Sequence, residues 1–543
     1  MNDKAHTTDV YNGGDAVCAA LDALGVRTIF GIPSQQNLAL YDALRRSGRI
    51  RMVGARHEAG AVHAADGYAR ATGELGVAIV STGPGTANAV NGLYEAGFAS
   101  SPVLLITTQV DRVHLGRGRG FIHDADGQSQ MLRSVTRRTE CVMHGHRIAD
   151  TIMSVAADIL SGRPQPGAVE IPTDLLSAPT TSGVIRIEKP LPIAPDEALI
   201  ERAVALLDDA KRPLLWVGGG SGSVEAAEAV RALAERLGLP VVSSLNGRGV
   251  MPSDHPLFIG SQTHYPAFRT LLEQADAVLA IGTRFQAVAT WFWSLPMPPK
   301  LIQVDVDPTA IGRNYPAEIG IIGDARLTAD ALNRKTRGGA IDPDFLQLAA
   351  SVRAALAADT VQRIGVDHAG ICDAIARHAP EERVVVCDAT MTGTTWGTHR
   401  LPANHPRQFM YSTSLAIGPA LPLGLGAAIG SGKRAIVVHG DGGIMLSLGE
   451  LATAVETAAP VTVLVFNNKG YGGLKYLQTA YGVPHVSVDL HTPDFVGLGT
   501  AMGMPSWRVD NVAEFETVFA NAMAGDGPNL IEVDITAMAP LAM

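Results

Sequence analysis

No apolar run in the 543 residues approaches the length of about 18 that a membrane-spanning helix needs, so no such helix and no membrane partner are expected. Residues 1–14 lack the apolar core of a secretory signal, and none is expected there. Only four cysteines occur (Cys18, Cys141, Cys372 and Cys387), with no CxxC spacing, which argues against a disulfide scaffold or a zinc site. There is no cluster of Lys and Arg, and the formal charge is −10, so nucleic acid is not an expected partner. Low-complexity tracts and repeats of roughly 20–50 residues are likewise missing. These absences leave a cytoplasmic, multi-domain α/β enzyme as the expectation.

What is present supports that class. Hydrophobic residues make up 46% and charged residues 18%, enough apolar surface for several cores. Short β-branched runs alternate with Ala-rich amphipathic stretches, the pattern of parallel sheets wrapped by helices. Strands are expected at Thr28–Gly31, Arg51–Ala55, Gly76–Ser81, Val103–Thr107, Pro213–Val217, Val384–Cys387, Ala435–Val438 and Val461–Asn467, with a helix over Gly60–Ala71. The Pro/Ser/Thr-rich stretch Ala178–Ile193 reads as a linker, and Arg334–Pro343 as a second break. The expected fold is α/β, with three doubly wound parallel-sheet domains over 1–183, 193–335 and 360–543.

The chemistry concentrates in Ala435–Gly472. One buried strand ends in His439-Gly440-Asp441-Gly442-Gly443; after a helix, a second ends in Asn467-Asn468. Asp441 and Asn468 are 27 residues apart, the length of one helix plus one strand. A βαβ crossover therefore brings both side chains to strand C-terminal ends, where α/β folds bind ligands. A carboxylate, an amide oxygen and a backbone carbonyl suit a hard cation that also takes phosphate oxygens, and the glycines leave amides bare for that phosphate.

This spacing resembles the diphosphate-binding motif of thiamine-diphosphate (ThDP) enzymes, and the resemblance extends over the whole chain. The domain order is similar to that of acetolactate synthase, benzoylformate decarboxylase and benzaldehyde lyase: a pyrimidine-binding, a middle Rossmann-like and a diphosphate-binding domain. It implies that Asp441, Asn468 and the Gly470 carbonyl hold Mg²⁺, with Gly440, Gly442, Gly443, Tyr471 and Gly472 around the diphosphate. Glu58, in Arg56-His57-Glu58, matches the glutamate that protonates the cofactor's aminopyrimidine. Ser81–Asn88 (STGPGTAN) looks like the loop against the pyrimidine, contributing Thr82, Pro84 and Asn88, and Pro33 follows a neighbouring strand. Leu421 falls where a bulky apolar residue props the cofactor, and Thr390 where a loop reaches the phosphates. In the family, residues matching Glu58 and Asp441 meet across a subunit interface. A homodimer is thus the expected minimal active unit, and a homotetramer, a dimer of dimers, the larger assembly.

HEAGA, STGPGTAN and LIQVDVDPTAIG lean toward acetolactate synthase, yet three of its pocket side chains are replaced. Val288 stands for the arginine that grips the second oxo acid, Thr173 for a lysine and Leu477 for a tryptophan; only arginine's planar fork pairs two ways with a carboxylate. The run Tyr471–Tyr476 is closer to the simple decarboxylases. These need a proton donor beside the reacting carbon, and His123 is the candidate for it. Gln35 and Gln36 are candidates to orient a substrate oxygen. Arg117 and Arg119 read either as attractors of an anionic substrate or as solvated loop charges. His144 and His146 read as a solvated pair. The Gly218–Gly220 loop has the form that accepts a nucleotide phosphate. In acetolactate synthase the middle domain carries FAD, but the FDD lining that site is Phe285-Gln286-Ala287 in this chain, so FAD stays open without being expected.

The expected activity is that of a ThDP- and Mg²⁺-dependent carbon–carbon lyase/ligase. It would decarboxylate a small 2-oxo acid through an enamine on the cofactor and release an aldehyde, or pass the acyl unit to an aldehyde or oxo-acid acceptor. Acetolactate synthesis and a benzaldehyde lyase-like acyloin cleavage are the alternatives. A non-catalytic paralogue is disfavoured by the joint presence of Glu58, Asp441 and Asn468.

Overall fold

The computed structural model describes residues 11–181 and 190–541. Part of the linker expected over Ala178–Ile193, residues 182–189, lies outside the described residues. Among the described residues, eighteen strands form three six-stranded sheets, with every strand pairing parallel. The first contains β1 (Thr28–Gly31), β2 (Arg51–Gly54), β3 (Gly76–Val80), β4 (Val103–Gln109), β5 (Arg138–Cys141) and β6 (Gly167–Pro172), in the order β2-β1-β3-β4-β6-β5. The second contains β7 (Pro213–Val217), β8 (Val241–Ser243), β9 (Phe258–Gly260), β10 (Ala277–Ile281), β11 (Lys300–Asp305) and β12 (Ile319–Ile322), in the order β12-β11-β10-β7-β8-β9. The third contains β13 (Arg383–Cys387), β14 (Phe409–Tyr411), β15 (Arg434–Gly440), β16 (Val461–Asn467), β17 (Ser506–Val509) and β18 (Asn529–Asp534), in the order β14-β13-β15-β16-β18-β17.

The first and third sheets thus share one topology. In each, the chain steps outward from its first strand to its second, then reverses to the other side of the first. The reversal leaves a crevice at the C-terminal ends of β1 and β3, and of β13 and β15, the place where open α/β sheets bind ligands. The middle sheet has the strand order of the dinucleotide-binding fold.

Contacts group the chain into two units: one to Pro190 apart from Ala71–Gly73, the other comprising those three residues and everything from Leu191. The second unit holds the middle and third sheets, and its long helix Pro343–His378 runs through residue 360, where the third domain was expected to start. Pro343 occupies the first helical turn behind an Asp342 cap, and Gly365, at φ 75°, breaks the helix. Central strands are apolar on both faces because helices cover both: β3, β4, β7, β10, β15 and β16 are buried throughout.

The HEAGA…DGYAR stretch builds the helix Glu58–Thr72 and carries one buried charge cluster. Arg70 donates to both oxygens of Asp66, at 2.8 and 2.5 Å, and to Glu95 at 2.8 Å; both carboxylates are fully enclosed. Removing the cation would strand two carboxylates away from water. Arg70→Met should cost about 3–5 kcal/mol, read as a lower urea midpoint by circular dichroism; an unchanged midpoint would contradict this role.

Candidate active site

β15 delivers Asp441 to the crevice of the third sheet, and the carboxylate is buried there. Its Oδ2 accepts from the Gly470 amide at 2.8 Å, which ties the end of β15 to the turn beyond β16. Burial pushes the Asp441 carboxyl above the usual carboxylate value, and the amides of Gly470 and Gly442 pull it back. The two asparagines separate because adjacent strand residues face opposite ways. Asn467 turns inward, its Nδ2 donating to Glu532 at 2.8 Å and its Oδ1 accepting from the Lys469 amide. Asn468 lines the cleft, its amide nitrogen 4.0 Å from Met391 Sδ. Gly472 lets Asn468 take this position: a Cβ would stand 2.1 Å from Asn468 Nδ2 and displace that amide. The Thr390 hydroxyl lies 2.6 Å from where a Gly440 Cβ would stand.

The resulting cleft, of about 290 Å³, is lined by every expected diphosphate-side residue but one. Leu421 is the exception: it is fully buried in the core with Val384 and Val437, because the helix Ala420–Ser431 packs on β13 and β15. The apolar side chains that do line the cleft are Met391, Leu415, Ile417, Leu474 and Leu477. Nor does a long helix follow Gly440; one turn, Asp441–Ile444, precedes the helix Glu450–Thr457. Under the turn, the buried Asp388 carboxylate accepts from the Gly418 amide with both oxygens, at 2.9 and 3.0 Å. Burial pushes the Asp388 carboxyl upward.

In the first sheet, Glu58 opens the helix after β2, and Oε2 accepts from Asn88 Nδ2 at 3.0 Å. Gln36 Oε1 accepts from the Ser81 hydroxyl at 3.3 Å, joining the turns after β1 and β3. Pro33, Gln35 and Pro84 are exposed near those turns. Gly83 has φ 63° and lies under the loop that carries His123; a Cβ would come within 2.5 Å of the His123 carbonyl oxygen. The structure thus brings the exposed His123 to the glycine turn, while Arg117 and Arg119 stay exposed further along the loop. Thr82 corrects the expectation for this turn. Its side chain is fully buried and is used inside the protein, donating to Gln128 Oε1 at 2.9 Å.

Gln128 and Glu170 were missed in the sequence. The Gln128 oxygen accepts from Thr82 and from the Gly83 amide at 2.7 Å, and its nitrogen donates to the Thr108 carbonyl at 3.0 Å and to Glu170 at 2.8 Å. All four hydrogen-bonding positions of the amide are used, so the base of the His123 loop is pinned to the glycine turn. Glu170 also accepts from Gln109 and Ser129. The signal was an acid inside the otherwise apolar strand β6.

Comparison with known proteins places these two crevices. Sequence models of the thiamine pyrophosphate enzyme match three segments: the N-terminal TPP binding domain at residues 11–131, the central domain at 200–332 and the C-terminal TPP binding domain at 391–533. The chain belongs to the thiamine pyrophosphate enzymes. It is 34% identical to a probable 2-ketoarginine decarboxylase of Pseudomonas aeruginosa over 96% of this chain and 93% of that one. It is 30% identical to a probable acetolactate synthase large subunit of Methanocaldococcus jannaschii (96% and 92% covered) and to acetolactate synthase 2, chloroplastic, of Nicotiana tabacum (96% and 82%). It is a ThDP-dependent enzyme of the decarboxylase and synthase class.

As a thiamine pyrophosphate enzyme, the chain has residues that fit the cofactor. The glycine-walled cleft leaves room where side chains would fill it, and Asp441, Asn468 and Gly470 offer the hard oxygen donors that a divalent cation takes. The middle domain fits a nucleotide less well. The Gly218 and Gly220 amides donate to the Ile281 and Gly282 carbonyls, and Phe285 packs edge-on against Trp216 in the core. Val288 is exposed, Thr173 donates to the Gln109 carbonyl, and Leu477 lines the cofactor cleft. Among the described residues no helix is long and apolar enough to cross a membrane.

Gln128→Leu keeps the volume and forfeits four hydrogen bonds, leaving Glu170 short of a donor. It should lower stability by about 2–3 kcal/mol, read as a shifted denaturation midpoint; a variant as stable as the parent would remove Gln128 from this role.

Proposed function

We propose that this enzyme decarboxylates a small 2-oxo acid and releases the acyl unit as an aldehyde or transfers it to an aldehyde or oxo-acid acceptor. The observation that carries the choice is Val288: an exposed apolar side chain stands where acetolactate synthases grip a second oxo acid with arginine. The relative named as a probable 2-ketoarginine decarboxylase supports it and adds a guanidino 2-oxo acid to the substrates worth offering. Acetolactate synthesis is the second reading, supported by the relatives bearing that name. Acyloin cleavage without decarboxylation is a third outcome that the same assay would reveal.

Bound ThDP supplies the nucleophilic carbon and electron sink that cleavage next to a carbonyl requires. The protein's part falls to its own side chains. Asp441, Asn468 and the Gly470 carbonyl would hold Mg²⁺, and Thr390 with the backbone of Gly440, Gly442, Gly443, Tyr471 and Gly472 would surround the diphosphate. Glu58, held by Asn88, would face the aminopyrimidine as its proton partner, near Pro33 and Pro84. His123 gives and takes the substrate's proton, and Gln35 and Gln36 orient its oxygen. A homodimer is the minimal active unit and a dimer of dimers the assembly, supported by exposed apolar side chains at the cleft, among them Leu415, Leu474 and Leu477. Cytoplasmic residence is supported by four cysteines that all remain free thiols.

Product NMR with ThDP and Mg²⁺ tests the reading. An aldehyde from pyruvate, benzoylformate or 2-ketoarginine is expected; acetolactate from pyruvate would favour the second reading, and benzaldehyde from benzoin the third. His123→Ala should slow turnover by about 10²-fold or more with little change in ThDP affinity. Equal loss of cofactor affinity would refute its assignment.

A further inference from the structure

A second cavity, of about 230 Å³, shares no lining residue with the cofactor cleft. It lies within the second unit, between the end of β9, the helix Pro343–His378 and the segment after the π-helical turn Gly393–Gly397. Its floor is apolar, formed by Phe258, Ile259 and Leu356, and its polar wall carries Arg353, His399 and Arg400. Among the described residues no Asp or Glu lines it.

The positive charge around this cavity is poorly balanced. Arg353 donates to the carbonyls of Asp254, His255 and Pro256 at 2.9–3.2 Å and, among the described residues, has no carboxylate partner. Arg400 gives one nitrogen to Asp373 at 2.7 Å and lies beside the Cys372 thiol, but its enclosed Nε has no acceptor among the described residues. Behind the same segment, buried Arg248 donates to the carbonyls of Gly397 and Leu401, stacks on Phe409 and again meets no carboxylate among the described residues. Burial pulls the Arg248 guanidinium down to about 10 and holds His399 well below its ordinary value, as neutral imidazole. Three guanidiniums therefore answer to one carboxylate; Arg248 is enclosed behind the cavity, while Arg353 and Arg400 are half-buried in its wall, where an anion can reach them.

We propose that this cavity is a binding site for a small carboxylate, its oxygens on Arg353 and Arg400 and its short chain on the apolar floor. Arginine's fork suits a carboxylate, and the volume falls below the roughly 300–1,000 Å³ of sites for drug-sized ligands. The site is also linked to the cofactor cleft through one continuous segment. Thr390, Met391 and Thr394 line the cleft, Thr394 donates to the Thr390 carbonyl at 2.9 Å, and five residues later His399 and Arg400 line the cavity. Trp396, between them, is anchored by its indole nitrogen to His368 at 3.2 Å. A π-helical turn at this position is a familiar feature of functional segments.

The test is calorimetric titration of butanoate, which carries no oxo group to react, into the ThDP- and Mg²⁺-loaded enzyme. Saturable binding is expected, weakened about tenfold or more by Arg400→Met and by Arg353→Met. Asp373→Asn, which frees Arg400 from its competitor, should tighten it. ThDP affinity measured without butanoate should be the same in Arg400→Met and Asp373→Asn as in the parent, a check that the variants are folded. No saturable heat, binding indifferent to both arginine variants, or weaker binding in Asp373→Asn would overturn the proposal. Inorganic phosphate binding as tightly as butanoate would overturn the role of the apolar floor.

Discussion

A hydrogen bond from the Gly470 amide to the Asp441 carboxylate closes the ends of two neighbouring parallel strands, and the diphosphate side of the site depends on that closure. It fixes where the Gly470 carbonyl and the Asn468 amide stand relative to the carboxylate. The carboxylate is raised by burial, so the turn holds an acid whose charge is incompletely answered by backbone dipoles. On the proposed reading a divalent cation would complete that balance and carry the diphosphate with it.

The same architectural device recurs in the first sheet. The first and third sheets repeat one strand order, and each offers the crevice made by its own reversal. One is furnished with a carboxylate, Glu58, held by an amide; the other with glycines and oxygen donors. Both are backed by buried polar groups: Gln128 and Glu170 behind the Ser81–Pro84 turn, and Asp388, which also lines the cleft, beside the Gly440–Gly443 turn. Such groups are tolerated in a core only when satisfied: Gln128 accepts from the Gly83 amide and so holds that glycine turn, while Asp388 accepts from the Gly418 amide with both oxygens.

Much of this was legible in the sequence because it is local. Glycine turns after apolar runs mark the strand ends to within a residue or two, and the spacing of Asp441 and Asn468 is set by one crossover. What escaped depends on which way a side chain faces. Leu421 sits in a stretch apolar on every side, so no period told core from cleft. Thr82 and Ser81 are adjacent polar residues, both buried, and only their partners tell them apart: Thr82 donates to Gln128, 46 residues away, and Ser81 to Gln36. The Gln128 amide belongs to a polar stretch that reads as loop; its four bonds exist only once β3, β4 and β6 lie side by side. The cation-rich cavity was equally hidden, since Arg248, Arg353 and Arg400 come from three distant segments.

On the proposed reading, the Asp441 turn is a cation-dependent anchor for the diphosphate. Titration calorimetry of ThDP into cofactor-free protein, with Mg²⁺ and then with excess EDTA, tests it most directly. Binding that saturates with Mg²⁺ and falls away in EDTA is the predicted result. ThDP bound equally well without a divalent cation would contradict the role of Asp441, Asn468 and Gly470 as that anchor.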